Sequence, residues 1–198
     1  MEPNGRLLRL IAMIAYPTDS YGLIRRSALL ETGVSDNQIA QAIRRGLLLR
    51  VYPGSLVVPS TDFDGAEGAQ RLHRMTAIAV ATSELSTATS PLPLCHATAA
   101  AFHGIPLLKP DISRVHVASG GTSGGAVHRY RHLHATPLDP AEVTVVDGIA
   151  VTTVERTAVD VATRGVFAQA LTAFDQAMRV GGDIEMMRRS EEHTSELQ

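Results

Sequence analysis

SALLETGVSDNQIAQAIRRG, residues 27 to 46, carries the reading on which the fold of the N-terminal part depends. Ser27 to Thr32 reads as a short helix, and Gly33 closes it because glycine accepts the left-handed conformation of a helix end. Ser35 with Gln38 three residues later is a capping box, and Asp36 suits the positive end of the next helix. That helix runs to Arg45 with Ile39, Ala42 and Ile43 on its inner face, and Gly46 stops it. Downstream, Leu47 to Tyr52, Pro53-Gly54-Ser55 and Leu56 to Pro59 read as a hairpin. Upstream, Leu7, Leu8, Leu10, Ile11 and Ile14 repeat at helical spacing until Pro17, and Tyr21 to Ile24 form a short extended stretch. Helix, helix, tight turn, capped helix and hairpin make up the layout of a winged helix-turn-helix.

The third helix turns Asn37, Gln38, Gln41, Arg44 and Arg45 outward. Amide side chains can bond an adenine edge twice, and arginine can do the same to guanine or hold a phosphate. Residues 1–60 contain seven arginines and four acids, a net charge of +3 on a chain whose total is -2. A mildly basic unit suits a polyanion. The candidate DNA contacts are therefore Arg25, Arg26, Ser35, Asn37, Gln38, Gln41, Arg44, Arg45 and Arg50, with double-stranded DNA as the partner. The competing reading is a small structural domain with a solvated polar helix face.

Thr61 to Gly68 has linker composition, with acids able to cap the following helix, read over residues 69–85. After the breaker-rich Ser83 to Pro93, Cys95 to Pro106 reads as an alanine-rich helix ended by Gly104. Ile112 to Ser119, Val127 to Leu133 and Val143 to Val146 are strand candidates, and Asp147-Gly148 turns the last into Ile149 to Thr152. Helices over 153–163 and 166–179 follow, the second with an apolar stripe of Val166, Ala170, Leu171, Phe174 and Met178. The expected class is α+β: a winged helix-turn-helix over 1–60, then a mixed α/β domain with an antiparallel sheet over 69–188.

Arg189 to Gln198, RSEEHTSELQ, reads as the translation of a sequencing-adapter oligonucleotide. It is expected to be non-native, with the natural product continuing past Arg188.

Other chemistry finds little support. One cysteine among 198 residues excludes an internal disulfide and fits a reducing, cytoplasmic compartment. No run of eighteen apolar residues suggests a membrane span. His128, Tyr130, His132 and His134 fall on one face of a strand by alternation, with His116 on a neighbouring strand. Zinc spacing signatures such as paired cysteines or HExxH are missing, so a polar sheet face is favoured over a metal. Gly120 to Gly125 lacks the lysine and hydroxyl of a phosphate loop. Cys95 beside His96 lacks a third orienting group, so Cys95 packs and His96 starts a helix. Asp160 and Asp175 do not form a nuclease site. Arg156 and Asp160, four apart, can pair on one helix face capped by Thr152 or Thr153. No catalytic residue, metal or cofactor is assigned.

Several segments resemble the AbiEi-type antitoxin and transcriptional-regulator family of type IV toxin-antitoxin systems. Gly22 to Val58 resembles the family's winged-helix module, and Leu94 to Pro106 its His-x-x-Ala-Ala segment. Glu142 to Ala162 carries Val146-Asp147-Gly148, Val151-Thr152, Arg156-Thr157 and Asp160, the most specific match. Phe174 to Gly181 resembles the next helix. The resemblance implies a non-enzymatic regulator that represses its own promoter and opposes a nucleotidyltransferase-like toxin. The resemblance also implies that many relatives continue into a restriction-endonuclease-like domain, so a truncated member of that branch is the alternative. The hairpin tip departs from the pattern, since Pro53-Gly54-Ser55 carries no basic residue.

Overall fold

The computed structural model describes residues 16–83, 92–121 and 124–196. The helix expected over residues 6–15 lies outside them, as do most of Ser83 to Pro93 and the centre of the Gly120 to Gly125 loop. The chain is α+β and divides into two compact units, Met1–Ser60 and Thr61–Gln198.

In the first unit, strand β1 (Ile24–Arg25) leads directly into helix α1 (Arg26–Glu31), and helix α2 (Asp36–Arg44) follows. Gly33, at φ +87°, makes the turn between the helices, where a side chain would be strained although space is open. The capping box at Ser35 is formed: its backbone N–H donates to Gln38 Oε1 at 2.7 Å, and Ser35 Oγ accepts from the Gln38 N–H. Strands β2 (Leu49–Tyr52) and β3 (Ser55–Val57) make the hairpin, and β3 sits between β1 and β2, antiparallel to both. Ile24, Leu29, Ile39, Ala42, Leu48 and Leu56 form the core beneath α2. The inner face of α2 is thus fixed by burial, and its polar residues are left to the other side.

In the second unit the expected linker is folded. Thr61–Phe63 is a 3-10 turn, and helix α3 (Gly65–Ala81) begins at once. Asp64 holds the N-cap position without a side-chain capping bond, so the expected acidic cap is not made. Helix α4 (His96–His103) ends at Gly104 in the left-handed conformation. Strand β4 (Val115–Ala118) follows.

The single strand expected over Val127 to Leu133 is instead a hairpin of β5 (Ala126–Val127) and β6 (Arg131–His134). His128 N–H donates to the Arg131 carbonyl and closes a two-residue turn. Alternation survives across so short a turn, which is why the pattern suggests one strand. β6 pairs parallel with β4, so the sheet is mixed rather than antiparallel throughout. Strands β7 (Val143–Val146) and β8 (Ile149–Thr152) form the expected hairpin, with Asp147 and Gly148 both at positive φ. Pro93, Leu94 and Cys95 join the two ladders. Leu94 bonds to β8 through Ala150 and Thr152, and Cys95 N–H donates to the His116 carbonyl on β4.

Helices α5 (Val154–Arg164), α6 (Phe167–Arg179) and α7 (Ile184–Glu196) complete the unit. Ala100, Ile105, Ala158, Val159, Ala177 and Met187 form their common core. The stripe read on α6 is misplaced. Val166, Leu171 and Met178 are exposed, while Ala173 and Ala177 are fully buried. Small residues let α6 approach α5 closely, and that selects the alanine face over the bulkier one. α7 runs unbroken across Arg189, and Ser190 is buried.

Candidate functional site

Two groups of polar side chains stand out, one exposed on the first unit and one buried in the second.

On the first unit, the nine predicted contact residues separate into two sets. Arg25 is tied into the fold: its guanidinium bonds Asp19 at 2.8 Å and Ser55 Oγ at 2.9 Å. Arg26 makes a two-pronged pair with Asp36 at 2.7 and 2.5 Å, linking the start of α1 to the start of α2. That bond holds the Asp36 carboxyl below its usual pKa. Ser35 and the Gln38 side-chain oxygen are spent on the capping box. Asn37, Arg44, Arg45 and Arg50 are exposed and Gln41 is half-buried. None of the three arginines in this second set makes an ion pair with a described residue. The sequence pattern alone does not separate these two sets, because a cap and a base reader use the same residue types.

In the second unit, the helix α5 pair is present and larger than expected. Arg156 is fully buried, its Nε donating to Asp160 Oδ1 at 2.9 Å. Its Nη1 donates to Glu142 Oε2 at 2.7 Å. Glu142, fourteen residues upstream, is the partner that sequence reading missed. Thr153 caps α5 by accepting from the Arg156 N–H, and Thr152 bonds Thr157 at 2.7 Å. Burial drives the Asp160 pKa up to about 6, outweighing the Arg156 charge beside it.

The sheet then gathers the histidines. The β4–β6 register places His116 opposite His132, with His134 two residues further on the same face. His134 stacks against His132 and against His96, with ring centroids 4.0 Å apart in each case. His96 arrives from the start of α4 with φ +51°, a strained value for a non-glycine residue. The predicted companion His128 instead sits at the hairpin turn and is exposed. A pocket of about 220 Å³ opens beside the cluster, lined also by Leu107, Asp111, Arg164 and Gln169.

Hydrogen bonds fix the ring tautomers. His116 Nε2 meets the Asp111 carbonyl at 3.0 Å, and a carbonyl only accepts, so Nε2 carries the proton. Its Nδ1 is then a lone pair and accepts from His134 Nε2 at 2.8 Å. His134 Nδ1 is left unprotonated. The same logic makes His73 Nδ1 donate to the Ile112 carbonyl at 3.1 Å and its Nε2 accept from Thr98 Oγ1 at 3.0 Å. Thr98 in turn accepts from the His116 N–H, tying α3, α4 and β4 together. Burial lowers these histidines, His73 to about 4 and His134 to about 3. His96 is pushed well below its ordinary value by burial and then by His134, and the buried Cys95 thiol is pushed up.

Residues 93–192 match the family model described as the AbiEi antitoxin C-terminal domain. No curated protein matches the chain.

Proposed function

Since the chain belongs to the AbiEi antitoxin family, we propose that it is an antitoxin that also binds double-stranded DNA. In this reading residues 1–60 act as a winged helix-turn-helix and residues 69–188 as the antitoxin domain. The role is binding rather than catalysis. The observation that carries the DNA-binding part is the outer face of α2. Asn37, Arg44 and Arg45 are exposed there, with Gln41 half-buried among them, on a helix whose cap is complete and whose inner face is anchored.

The partners already held by Arg25, Arg26, Ser35 and Gln38 support a smaller contact set in this reading. Gln41 and Asn37 are the base readers, Arg44 and Arg45 reach guanine or phosphate, and Arg50 on β2 approaches a flanking phosphate. Arg25, Arg26, Ser35 and Gln38 position α2 and contribute through it. Autoregulation follows if the duplex bound is the protein's own promoter. The toxin partner, nucleotidyltransferase-like by the family resemblance, falls to the second unit. No described helix is long and apolar enough to cross a membrane, and the site of action in this reading is the cytoplasm.

The test is fluorescence anisotropy with a labelled duplex from the gene's upstream region across a salt series. Affinity falls with salt because phosphate contacts release counterions. Arg44→Ala and Arg45→Ala each reduce the salt slope by about one. Gln41→Ala alters sequence preference more than affinity. Absence of binding at low salt overturns the reading.

A further inference from the structure

We propose that Cys95, His96, His134 and Asp160 form a site for a divalent transition-metal ion, zinc by ligand class. Among the described residues, four buried side-chain nitrogen and oxygen atoms have no hydrogen-bond partner: His96 Nδ1, His134 Nδ1, Asp160 Oδ2 and Arg156 Nη2. Three of them can ligate a metal. His96 Nδ1 and Asp160 Oδ2 are 3.9 Å apart, with side chains 7% and 3% exposed. Cys95 Sγ and one ring nitrogen each of His96 and His134 all lie within 4.8 Å of one another. Buried polar atoms are nearly always satisfied, so orphans gathered at one place point to a missing partner.

The surroundings are those of a metal ligand set. The hydrogen bonds to His116 and Asp111 leave His134 with a bare lone pair on Nδ1. A ligating histidine ordinarily donates its other ring N–H to an acceptor in this way. Arg156 holds Asp160 by Oδ1, leaving Oδ2 for an ion. Charge agrees as well. Arg156 with ionised Glu142 and Asp160 leaves one negative charge buried. A dication with the Cys95 thiolate adds one net positive charge and brings the corner to neutrality. One thiolate, two imidazoles and a carboxylate suit tetrahedral zinc, whose ligand atoms lie about 3.3–3.6 Å apart when bonds are about 2.0–2.3 Å. Cys95, His96 and His134 must close on the ion, Asp160 Oδ2, which stands beside His96 but outside that group of three, must move in, and the stacked His96 and His134 rings must tilt until both lone pairs meet one ion. His116 is excluded because both its ring nitrogens are already bonded, and His132 is only half-buried, whereas Cys95, His96 and His134 are all buried.

The experiment uses the whole chain with zinc alone, in competition with a chromophoric chelator, and cobalt(II) as a spectroscopic substitute. The expected result is one zinc per chain and a cobalt spectrum with tetrahedral d–d bands and a thiolate charge-transfer band. Cys95→Ser removes that band and weakens zinc at least about tenfold, while His132→Ala leaves affinity unchanged. The proposal is overturned by absence of stoichiometric zinc, by a cobalt spectrum without the thiolate band, or by binding that survives Cys95→Ser and is lost in His132→Ala. Circular dichroism checks that each variant is folded. If Cys95→Ser does not fold, the wild-type cobalt spectrum decides.

Discussion

The outer face of α2 and the buried corner around Arg156 are both rich in polar groups, and they differ in what those groups do for the fold. On α2, Asn37 and Arg44, with Arg45 just beyond, are exposed, and the helix is held from beneath by its own Ile39 and Ala42 and the apolar residues they meet. Around Arg156, Glu142 and Asp160 the polar groups are themselves the interior: the ion pairs join α5 to the turn before β7, and His96 of α4 stands 3.9 Å from Asp160. The first arrangement leaves chemistry available to a ligand at little cost to stability. The second ties stability to complete satisfaction of each charge, because a buried charge without its partner is expensive.

The sharpest way to break that contrast is Arg156→Ala. It leaves two carboxyl groups in the interior without their cation and should destabilise the second unit by about 3–5 kcal/mol. Urea unfolding measures it, and a loss under about 1 kcal/mol would mean that the triad behaves like a surface pair.

Acid separates the two units next. All eight histidines lie beyond residue 60. His73 has a folded pKa of about 4 against an ordinary 6.5, so below pH 6.5 the unfolded chain takes up its proton and the folded one does not. Its stabilising contribution is fully present above 6.5 and is lost as pH falls towards 4, roughly 3 kcal/mol in all. His96, His116 and His134 are lowered in the same sense. Asp160 works against them between 3.8 and about 6, since there the folded state takes up the proton first. The histidines outweigh it. Amide hydrogen exchange, corrected for intrinsic rate, should show residues 61–192 losing protection between pH 6.5 and 4.5 while residues 16–60 hold theirs.

A smaller effect probes the first unit. Ser35→Ala removes the α2 cap and should lower stability by about 1 kcal/mol, measured by thermal unfolding. DNA affinity should fall with it, because the cap sets the direction of the helix. Smallest for the fold is the pair Arg44→Ala and Arg45→Ala, expected to leave the melting temperature unchanged while weakening DNA binding. A clear drop in melting temperature would show that these arginines serve the fold, and the contrast with Arg156 would disappear.

Sequence reading reached the local devices on both sides of this comparison. The Ser35–Gln38 box, the Gly33 turn, the Asp147-Gly148 hairpin and the Arg156–Asp160 spacing each lie within a few residues, where backbone geometry sets who can meet whom. It failed where an alternating pattern ran through a turn, as at His128 to Tyr130. It failed too where bulk was mistaken for burial, as at Leu171 and Met178 on α6. The separation of Arg25 and Arg26 from Arg44 and Arg45 was equally out of reach, since their partners Asp19, Ser55 and Asp36 are chosen by packing.

What the sequence determined by itself is most of the helices from α1 to α6, the caps at Ser35 and Thr153, the Asp147-Gly148 turn, and the spacing of the Arg-Thr, Asp segment that accompanies the family match; the closing helix α7 was not read from it. What only the tertiary structure decided is the company those residues keep. A parallel pairing of β4 with β6 and the strand-like run of Pro93 to Cys95 bring Cys95, His96, His116 and His134 together from three separate segments. Periodicity reports which way a side chain points within its own element. It carries no information about which distant element will face it, and burial then turns that meeting into a demand for exact charge and hydrogen-bond partners.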